Sequence, residues 1–402
     1  MNSTSAPAPL KDVVVLDIGT MFAGPLVATL LADFGATVIK VEPRGGDPVR
    51  NMGWRKDDES MWWLVAGRNK RTVTLNLKAP EGPDLLLQMV RRADVVVENM
   101  RPGKLEALGL GVDVLMRERP GLVVVRTTGF GQTGPYSSRA GFGTLAEAMS
   151  GFAHINGEED GPPMLPPFGL ADGTASYLGA FAAMVALWNR DHSDGTTGEV
   201  VDLSIVESLM SLLGPQVPAF DQLGVVQHRT GNRIPFNSPR NMYRAKDGKW
   251  LAISGATNTI ALRVLTAIGR SDLIDDPRFA TNAARLENAD EVDALIAEWI
   301  AERDSAEVLD AFVKAEAAMG PVLSVEDIMN DPHFQARQVV VDMPHPTLGT
   351  VKVQDVVPRM ASNPGYLRWV GRPLGADNDW WYRQELGMSE AEFIELKRRE
   401  VI

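Results

Sequence analysis

The stretch "PPFGLADGTASYLGAF" (166–181) places one carboxylate, Asp172, after a Pro/Gly loop and ahead of a run of small and apolar residues. Taken alone, an Asp at the head of a helix reads as an N-cap whose side chain accepts from the free N–H groups of the first turn. Capping is compatible with chemistry. The positive end of a helix favours the ionised carboxylate by ~0.3–1 kcal/mol, and an anionic Asp can attack an acyl carbon. Gly173, Thr174 and Ala175 would leave space for a bulky acyl group beside it; tight helix packing asks for the same residues.

A second group of candidates is cationic. "GRNKRTVTLNLK" (67–78) carries Arg68, Lys70, Arg71 and Lys78, which alone could be a solvated strand edge. Lys40, Arg44, Arg50 and Arg101 fall at the ends of neighbouring expected strands, so several positive charges could converge on one phosphorylated, nucleotide-like ligand. Trp62 and Trp63 could stack on its base or fill the core. Other chemistries find less support. The chain has no cysteine, which excludes disulfides, thiolate nucleophiles and thiolate metal sites. Its five histidines, His154, His192, His228, His333 and His345, lack the spacing of a metal site, so no metal is expected. No G-x-S-x-G elbow is present. Gly19 and Gly24 do not make G-x-G-x-x-G, although Glu42 ends the second strand as a ribose-binding acid would.

These residues need a scaffold. "VVVLDI", "TVIKVE", "TVTLNL", "DVVVEN" and "GLVVVRTTGFG" are apolar on both faces and alternate with helical segments, the pattern of a parallel sheet covered on both sides. The expected class is α/β, a Rossmann-like doubly wound parallel sheet with a smaller α+β domain. Ligands of such sheets bind beyond the carboxyl ends of the strands, which selects the loops 19–25, 42–50, 98–104 and 129–143. "MYRAKDGKWLAIS" reads as a hairpin turning on Asp247-Gly248, and helices are expected near 287–302 and 305–318. The divisions are 1–215 for the N-terminal part of the large domain, 225–340 for the small domain, and 345–402 for a C-terminal segment with Ser389 as a helix N-cap.

At 402 residues the chain is long for one core. Its net charge of −12 argues against nucleic acid as a partner. "MNSTSAPAPLKD" reads as a short flexible arm without a signal peptide, and the longest apolar run, Leu178 to Trp188, is shorter than the ~20 residues of a membrane span. A soluble protein of a reducing cytoplasm, without a membrane partner, is expected.

Ordered blocks over nearly the whole chain carry a resemblance: "ADFGATVIKVEPRGGDPVR", "GRNKRTVTLNLKAPEG", "ADVVVENMRPGKLEALGLG", "TGFGQTGPY", "LADGTASYLGAFAAMVAL", "GEVVDLSIVES", "DPRFATNAARLENADEV", "MGPVLSVEDIMNDPHFQAR" and "GRPLG". The sequence resembles the class III coenzyme A transferases, the family of formyl-CoA transferase and carnitine CoA-transferase. The resemblance implies an acyl-CoA:carboxylate CoA-transferase in which Asp172 is the nucleophile, passing through an aspartyl acyl anhydride and an aspartyl-CoA thioester. It implies a large domain that binds CoA through Phe22, Ala23, Lys40, Arg71, Leu75, Lys78, Asn99, Met100, Arg101 and Arg139. CoA and acyl-CoA are then substrates, with no permanently bound cofactor. The family also implies an interlocked homodimer whose C-terminal segment rejoins the large domain, and a small domain that shapes the acyl and acceptor pocket.

Two departures bear on specificity. Where formyl-CoA transferases carry a run of glycines over the active site, "SGATN" (254–258) has Gly255 alone. The related α-methylacyl-CoA racemases add a catalytic His in a "GHD"-like block; here it reads Gly141-Phe142-Gly143. Phe cannot move a proton, which favours transferase over racemase, with another base from the small domain as the way a racemase could still arise. A CoA-binding paralogue without turnover is the third reading.

Overall fold

The computed structural model describes residues 8–402. The first seven residues of the expected N-terminal arm lie outside the described residues. The chain divides into two compact units. One comprises residues up to Phe152, Pro166–Leu213 and Ala336–Ile402; the other comprises Ala153–Leu165 and Gly214–Gln335.

The first unit is built on six strands: β1 (Val14–Asp17), β2 (Thr37–Glu42), β3 (Lys70–Thr74), β4 (Val95–Glu98), β5 (Val123–Thr128) and β6 (Glu199–Ser204). All pair in parallel, in the order β3-β2-β1-β4-β5-β6. This is the order of a doubly wound sheet, with the reversal between β1 and β4. The unbroken valine runs are explained by burial on both faces, because successive side chains of a strand point to opposite sides. Leu16, Ile39, Val73, Val96 and Val124 enter one core with α2 (Gly82–Val90) and α3 (Val112–Glu118). Val15, Val38, Val95 and Val123 enter the other, beneath α1 (Ala23–Asp33), α5 (Leu170–Asp191) and α6 (Ile205–Met210). Helix α4 (Gly143–Met149) precedes α5 in the chain.

The edge of β3 is closed by the end of the chain. Asp377 and Asn378 accept from the N–H groups of Thr72 and Thr74, Trp369 donates to the Lys70 carbonyl, and Tyr382 donates to the Thr74 carbonyl. These bonds use the edge groups that would otherwise template another strand. The C-terminal segment therefore belongs to the sheet it covers.

The second unit has a three-stranded antiparallel sheet, with β8 (Trp250–Ser254) between β7 (Arg240–Arg244) and β9 (Met319–Pro321). Its core is completed by α7 (Asn258–Ala267), α8 (Ala289–Ala301) and α9 (Ser305–Lys314). The turn at Asp247-Gly248 forms as expected, with Gly248 at φ +85°, a conformation that costs glycine least. One boundary differs from the sequence reading. Residues 153–165 leave the large domain for this unit because the Gly157 carbonyl accepts from Gly231 N–H and the Gly161 carbonyl from Arg229. Beyond it, a hairpin of β10 (Val340–His345) and β11 (Gly349–Gln354) starts earlier than "PTLGTVKVQDVV" suggests, and α10 (Glu390–Arg398) is capped by Ser389 as expected.

Helix α5 is, by length and composition, apolar enough to cross a membrane, a property the sequence run Leu178–Trp188 understated. Its Ala171, Ala175, Gly179 and Ala183 recur every fourth residue and are buried against the neighbouring core. A Cβ at Gly179 would stand 2.7 Å from Val27, so only glycine lets α5 lie this close to α1.

Candidate active site

Asp172 is the third residue of α5, and the N-cap position belongs to Gly169. The expectation that Asp172 caps its helix is therefore corrected: Leu170 and Ala171 are already helical. Glu147 of α4 takes over part of that task, its Oε1 accepting from the Ala171 N–H at 3.3 Å. The Asp172 carboxylate lies instead against glycine backbone. A Cβ at Gly143 would meet its Oδ2 at 2.5 Å, and one at Gly169 would meet it at 3.4 Å. Gly173, the next residue, has open space where a side chain would stand. The small residues thus divide: Ala175 packs, whereas Gly173 leaves room at the carboxylate.

Burial, and then the charge of Glu147, raise the Asp172 pKa to about 6. A shift of that size is on the order of 3 kcal/mol, which exceeds the ~0.3–1 kcal/mol that a helix N-terminus offers the ionised form. The helix end does not hold this carboxylate in its ordinary range. That value still lies below neutral pH, so the ionised form is accessible there in a setting that solvates the charge poorly. Such a carboxylate is a better nucleophile than one wrapped in hydrogen bonds. Replacing Glu147 with Gln keeps an acceptor for Ala171 but removes the like charge. The acid limb of kcat/KM in the parent protein is expected near pH 6, with activity rising as Asp172 loses its proton, and Glu147→Gln should move that limb to lower pH. A pH–rate profile in which both proteins share the same limb would remove Glu147 as its cause.

Below Asp172, Ser176 Oγ lies 2.7 Å from the Asp172 carbonyl and 2.9 Å from that of Ala23, tying α5 to the start of α1. The loop 19–25 that leads into α1 is braced from several sides. Asn99 accepts from Thr20 N–H at 2.8 Å and donates to the Thr20 carbonyl at 2.6 Å. Lys40 donates to the Gly19 carbonyl, Lys70 to the Pro25 carbonyl, and Asp47 accepts from Met21 N–H. Met21 is held at φ +67°, a strained position for a side-chain-bearing residue. Phe22 packs on the half-exposed Trp62, with ring centres 4.7 Å apart.

Two of the residues that the resemblance names as CoA contacts lie inside the unit. Lys40 is fully buried and its charge is engaged by Asp47 at 2.9 Å and Asp17 at 3.5 Å, so it braces the loop from inside and presents no charge to a ligand. Leu75 is buried in the sheet core. Lys70 is likewise committed, to Asp17 at 2.8 Å. Burial opposes both ammonium charges; Asp17 and Asp47 outweigh it at Lys40, whose pKa is raised, whereas at Lys70 burial and the charge of Lys40 prevail and the pKa is lowered.

The remaining cations separate by partner. Arg50 forms two bonds to Glu42 and lies 3.8 Å over the buried Trp63, and Arg44 pairs with Glu400 at 2.7 Å. Arg71 pairs with Asp377 at 3.0 Å and lies 3.9 Å over Trp380. Among the described residues, Lys78, Arg101 and Arg139 are exposed and have no carboxylate partner; Arg139 lies over Tyr136 at 3.7 Å. Met100 N–H is held by Glu98, which fixes the turn into Arg101. Phe142, at the position of the racemase histidine, is exposed and directly precedes Gly143.

The sequence reading missed Glu147, Asp17, Asp47 and Asp377. Asp17, Asp377 and Glu147 meet partners from distant segments, whereas Asp47 pairs with Lys40 only seven residues back; a lone charge in an apolar run is the one signal for Glu147. Among the described residues no group of His, Asp and Glu is placed to hold a metal ion.

Comparison with known proteins places the chain in a family. CoA-transferase family III matches residues 10–378. Succinyl-CoA–D-citramalate CoA-transferase of Chloroflexus aurantiacus is 41% identical, covering 100% of this chain and 100% of that protein. The β subunit of succinyl-CoA–L-malate CoA-transferase from the same organism is 36% identical, also over 100% of each chain. A crystal structure of a CAIB/BAIF family protein from Brucella suis superposes with a TM-score of 0.83 at 29% identity, covering 94% of this chain and 100% of that one.

Proposed function

The chain belongs to CoA-transferase family III and transfers CoA between acids, and from that premise we propose that it moves CoA from a succinyl-CoA-like donor to a short dicarboxylate acceptor, with Asp172 as the covalent nucleophile. The observation that carries the reading is the Asp172 carboxylate itself, uncapped, pressed against Gly143, and open on the Gly173 side. The acid class is supported by the relatives, which use succinyl-CoA with citramalate or malate.

In the proposed sequence, an Asp172 oxygen attacks the thioester carbonyl and the C–S bond breaks, leaving an aspartyl acyl anhydride and CoA thiolate. The thiolate attacks the aspartyl carbonyl, forming an aspartyl-CoA thioester and releasing the donor acid as its carboxylate. The acceptor carboxylate then attacks that thioester, expelling the thiolate and giving a second anhydride. Attack of the thiolate on the acceptor's acyl carbon yields the new acyl-CoA and returns the Asp172 carboxylate. No proton is moved in any step, which suits a site whose residue 142 is Phe. Water must be kept from both activated intermediates, and the close glycine packing around the carboxylate serves that end.

Phe22, Ala23, Asn99, Met100 and Arg101, gathered at the braced loop, are proposed as CoA contacts, with Arg71, Lys78 and Arg139 as further ones. An interlocked homodimer is proposed as the working form. It is supported by the family and by the apolar surface that α5 exposes at Phe181, Val185 and Trp188.

Incubation with succinyl-CoA, borohydride trapping and peptide mass spectrometry test the reading. Reduction confined to the peptide containing Asp172 is expected. Turnover with a trapped adduct on another residue, or with none, would overturn Asp172 as the nucleophile.

A further inference from the structure

The residue after Asp172 offers a backbone nitrogen with no side chain to shield it. A Cβ at Gly173 would meet nothing within 4 Å. An ionised carboxylate is inert to an amide nitrogen, so in a structural Asp-Gly pair this proximity does little. With Asp172 as the nucleophile, the reading on which this inference rests, the same carbonyl is an anhydride or a thioester during part of every cycle. An activated Asp172 carbonyl and the Gly173 nitrogen are one bond short of a five-membered ring.

Ring closure requires the Asp172–Gly173 peptide to turn out of the helical conformation, where ψ is about −42°, so that its nitrogen faces the side-chain carbon. In α5 that peptide is pinned at both ends. Its N–H donates to the Gly169 carbonyl at 2.9 Å, and its C=O lies 2.7 Å from Ser176 Oγ. Ser176 is 1% exposed and its hydroxyl also lies 2.9 Å from the Ala23 carbonyl, so the second pin is anchored on α1. The turn is otherwise weak. Its cap, Gly169, has no side-chain bond to offer, a second glycine stands at 173, and helix ends fray.

We propose that the Asp172–Gly173 peptide is a site of turnover-dependent self-modification, in which the Gly173 nitrogen captures the activated Asp172 carbonyl as a succinimide, and that Ser176 is the positioning residue that holds this reaction in check. The nitrogen bonds to the Asp172 side-chain carbonyl carbon. The C–O bond of the anhydride, or the C–S bond of the thioester, breaks with its electron pair, and the departing carboxylate or thiolate takes the N–H proton. The product has lost the nucleophile and is one water lighter than the parent chain. Water then opens the ring at either carbonyl, returning aspartate or leaving isoaspartate, whose free carboxylate is carried on Cα. Each capture that ends in isoaspartate retires one site, so the working life of the chain is counted in turnovers.

The test uses the full chain with succinyl-CoA and isotopically labelled succinate, so that label exchange counts turnovers, followed by peptide mass spectrometry across residues 172–173. In the parent, a peptide one water lighter and its isoaspartate form are expected to accumulate with turnover. Both should be absent when CoA and succinate are supplied without the thioester. Hydrolysis of the anhydride or thioester returns only ordinary aspartate, so isoaspartate reports the ring. Ser176→Ala should raise ring products per turnover about fivefold, the effect of one lost hydrogen bond, with thermal melts confirming that the fold persists. Gly173→Ala, whose Cβ the fold has room for, should lower them in the parent itself because the methyl group crowds the nitrogen; this arm stands even if Ser176→Ala does not fold. A borohydride-trapped adduct at Asp172 without ring products in the parent and Ser176→Ala, or with equal yields per turnover in the parent and both variants, overturns the self-modification and leaves the nucleophile in place. Absence of any adduct at Asp172 overturns the nucleophile, and the succinimide with it.

Discussion

Asp172→Asn should reduce CoA transfer by at least about a thousandfold while CoA affinity stays within a factor of about two. The amide is isosteric, but it cannot form the anhydride, so the covalent route is lost outright and only background reactivity remains. Folding should not suffer. Asp172 makes no cap bond that Asn would have to replace, and the first-turn N–H of Ala171 is served by Glu147. Stability at neutral pH should hold or rise. The folded-state pKa of Asp172 is raised to about 6 from its ordinary 3.8, so above that range the fold bears a penalty for the charged form that the neutral amide removes. Gain of stability with loss of activity marks a functional group. Steady-state kinetics with a thermal melt and CoA titration check all three. Transfer within tenfold of the parent protein would exclude the nucleophile; a lowered melting temperature would show that the carboxylate supports the fold instead.

The central sheet was legible because its code is local. Strands buried on both faces must be apolar throughout, and "VVVLDI", "DVVVEN" and "GLVVVRTT" declare that within single segments. The Asp247-Gly248 hairpin and the Ser389 cap are local for the same reason, each decided within a few residues. What stayed hidden depends on partners far apart in sequence. Lys40, inside β2, reads as a ligand contact, but Asp17 of the neighbouring strand, twenty-three residues back, holds it inward together with the nearer Asp47. Nothing near Thr72 or Thr74 announces that Asp377 and Asn378 close their edge. At the proposed site, the sequence singles out Asp172 and misreads its setting. The helix begins three residues earlier than a cap at Asp172 would require, because Gly169 ends the Pro-rich approach and Glu147 arrives from another helix. That displacement leaves the carboxylate free of cap bonds.

The buried charges under the loop 19–25 should show the largest structural effect. Asp17, Asp47, Lys40 and Lys70 form a set of two negative and two positive charges, all at most 2% exposed. Each lysine also donates to a loop carbonyl, at Gly19 and at Pro25, so the set fixes the backbone that carries Phe22 and Ala23. Asp17→Asn keeps the size and the acceptor for Gly19 N–H but leaves two buried ammonium groups facing one carboxylate. Breaking a buried pair in this way costs about 3–5 kcal/mol. CoA affinity should fall along with stability, since the loop loses its brace. Removing the surplus charge as well should restore much of the loss: Asp17→Asn with Lys70→Met again balances the remaining pair, and buried ion pairs are often replaceable by apolar groups of similar volume. Denaturant unfolding of the parent, the single variant and the double variant measures both terms. A single variant within about 1 kcal/mol of the parent, the range of an exposed ion pair, would mean that water already screens these charges. A double variant no more stable than the single one would mean that Lys70 matters for its bond to Pro25 and not for its charge.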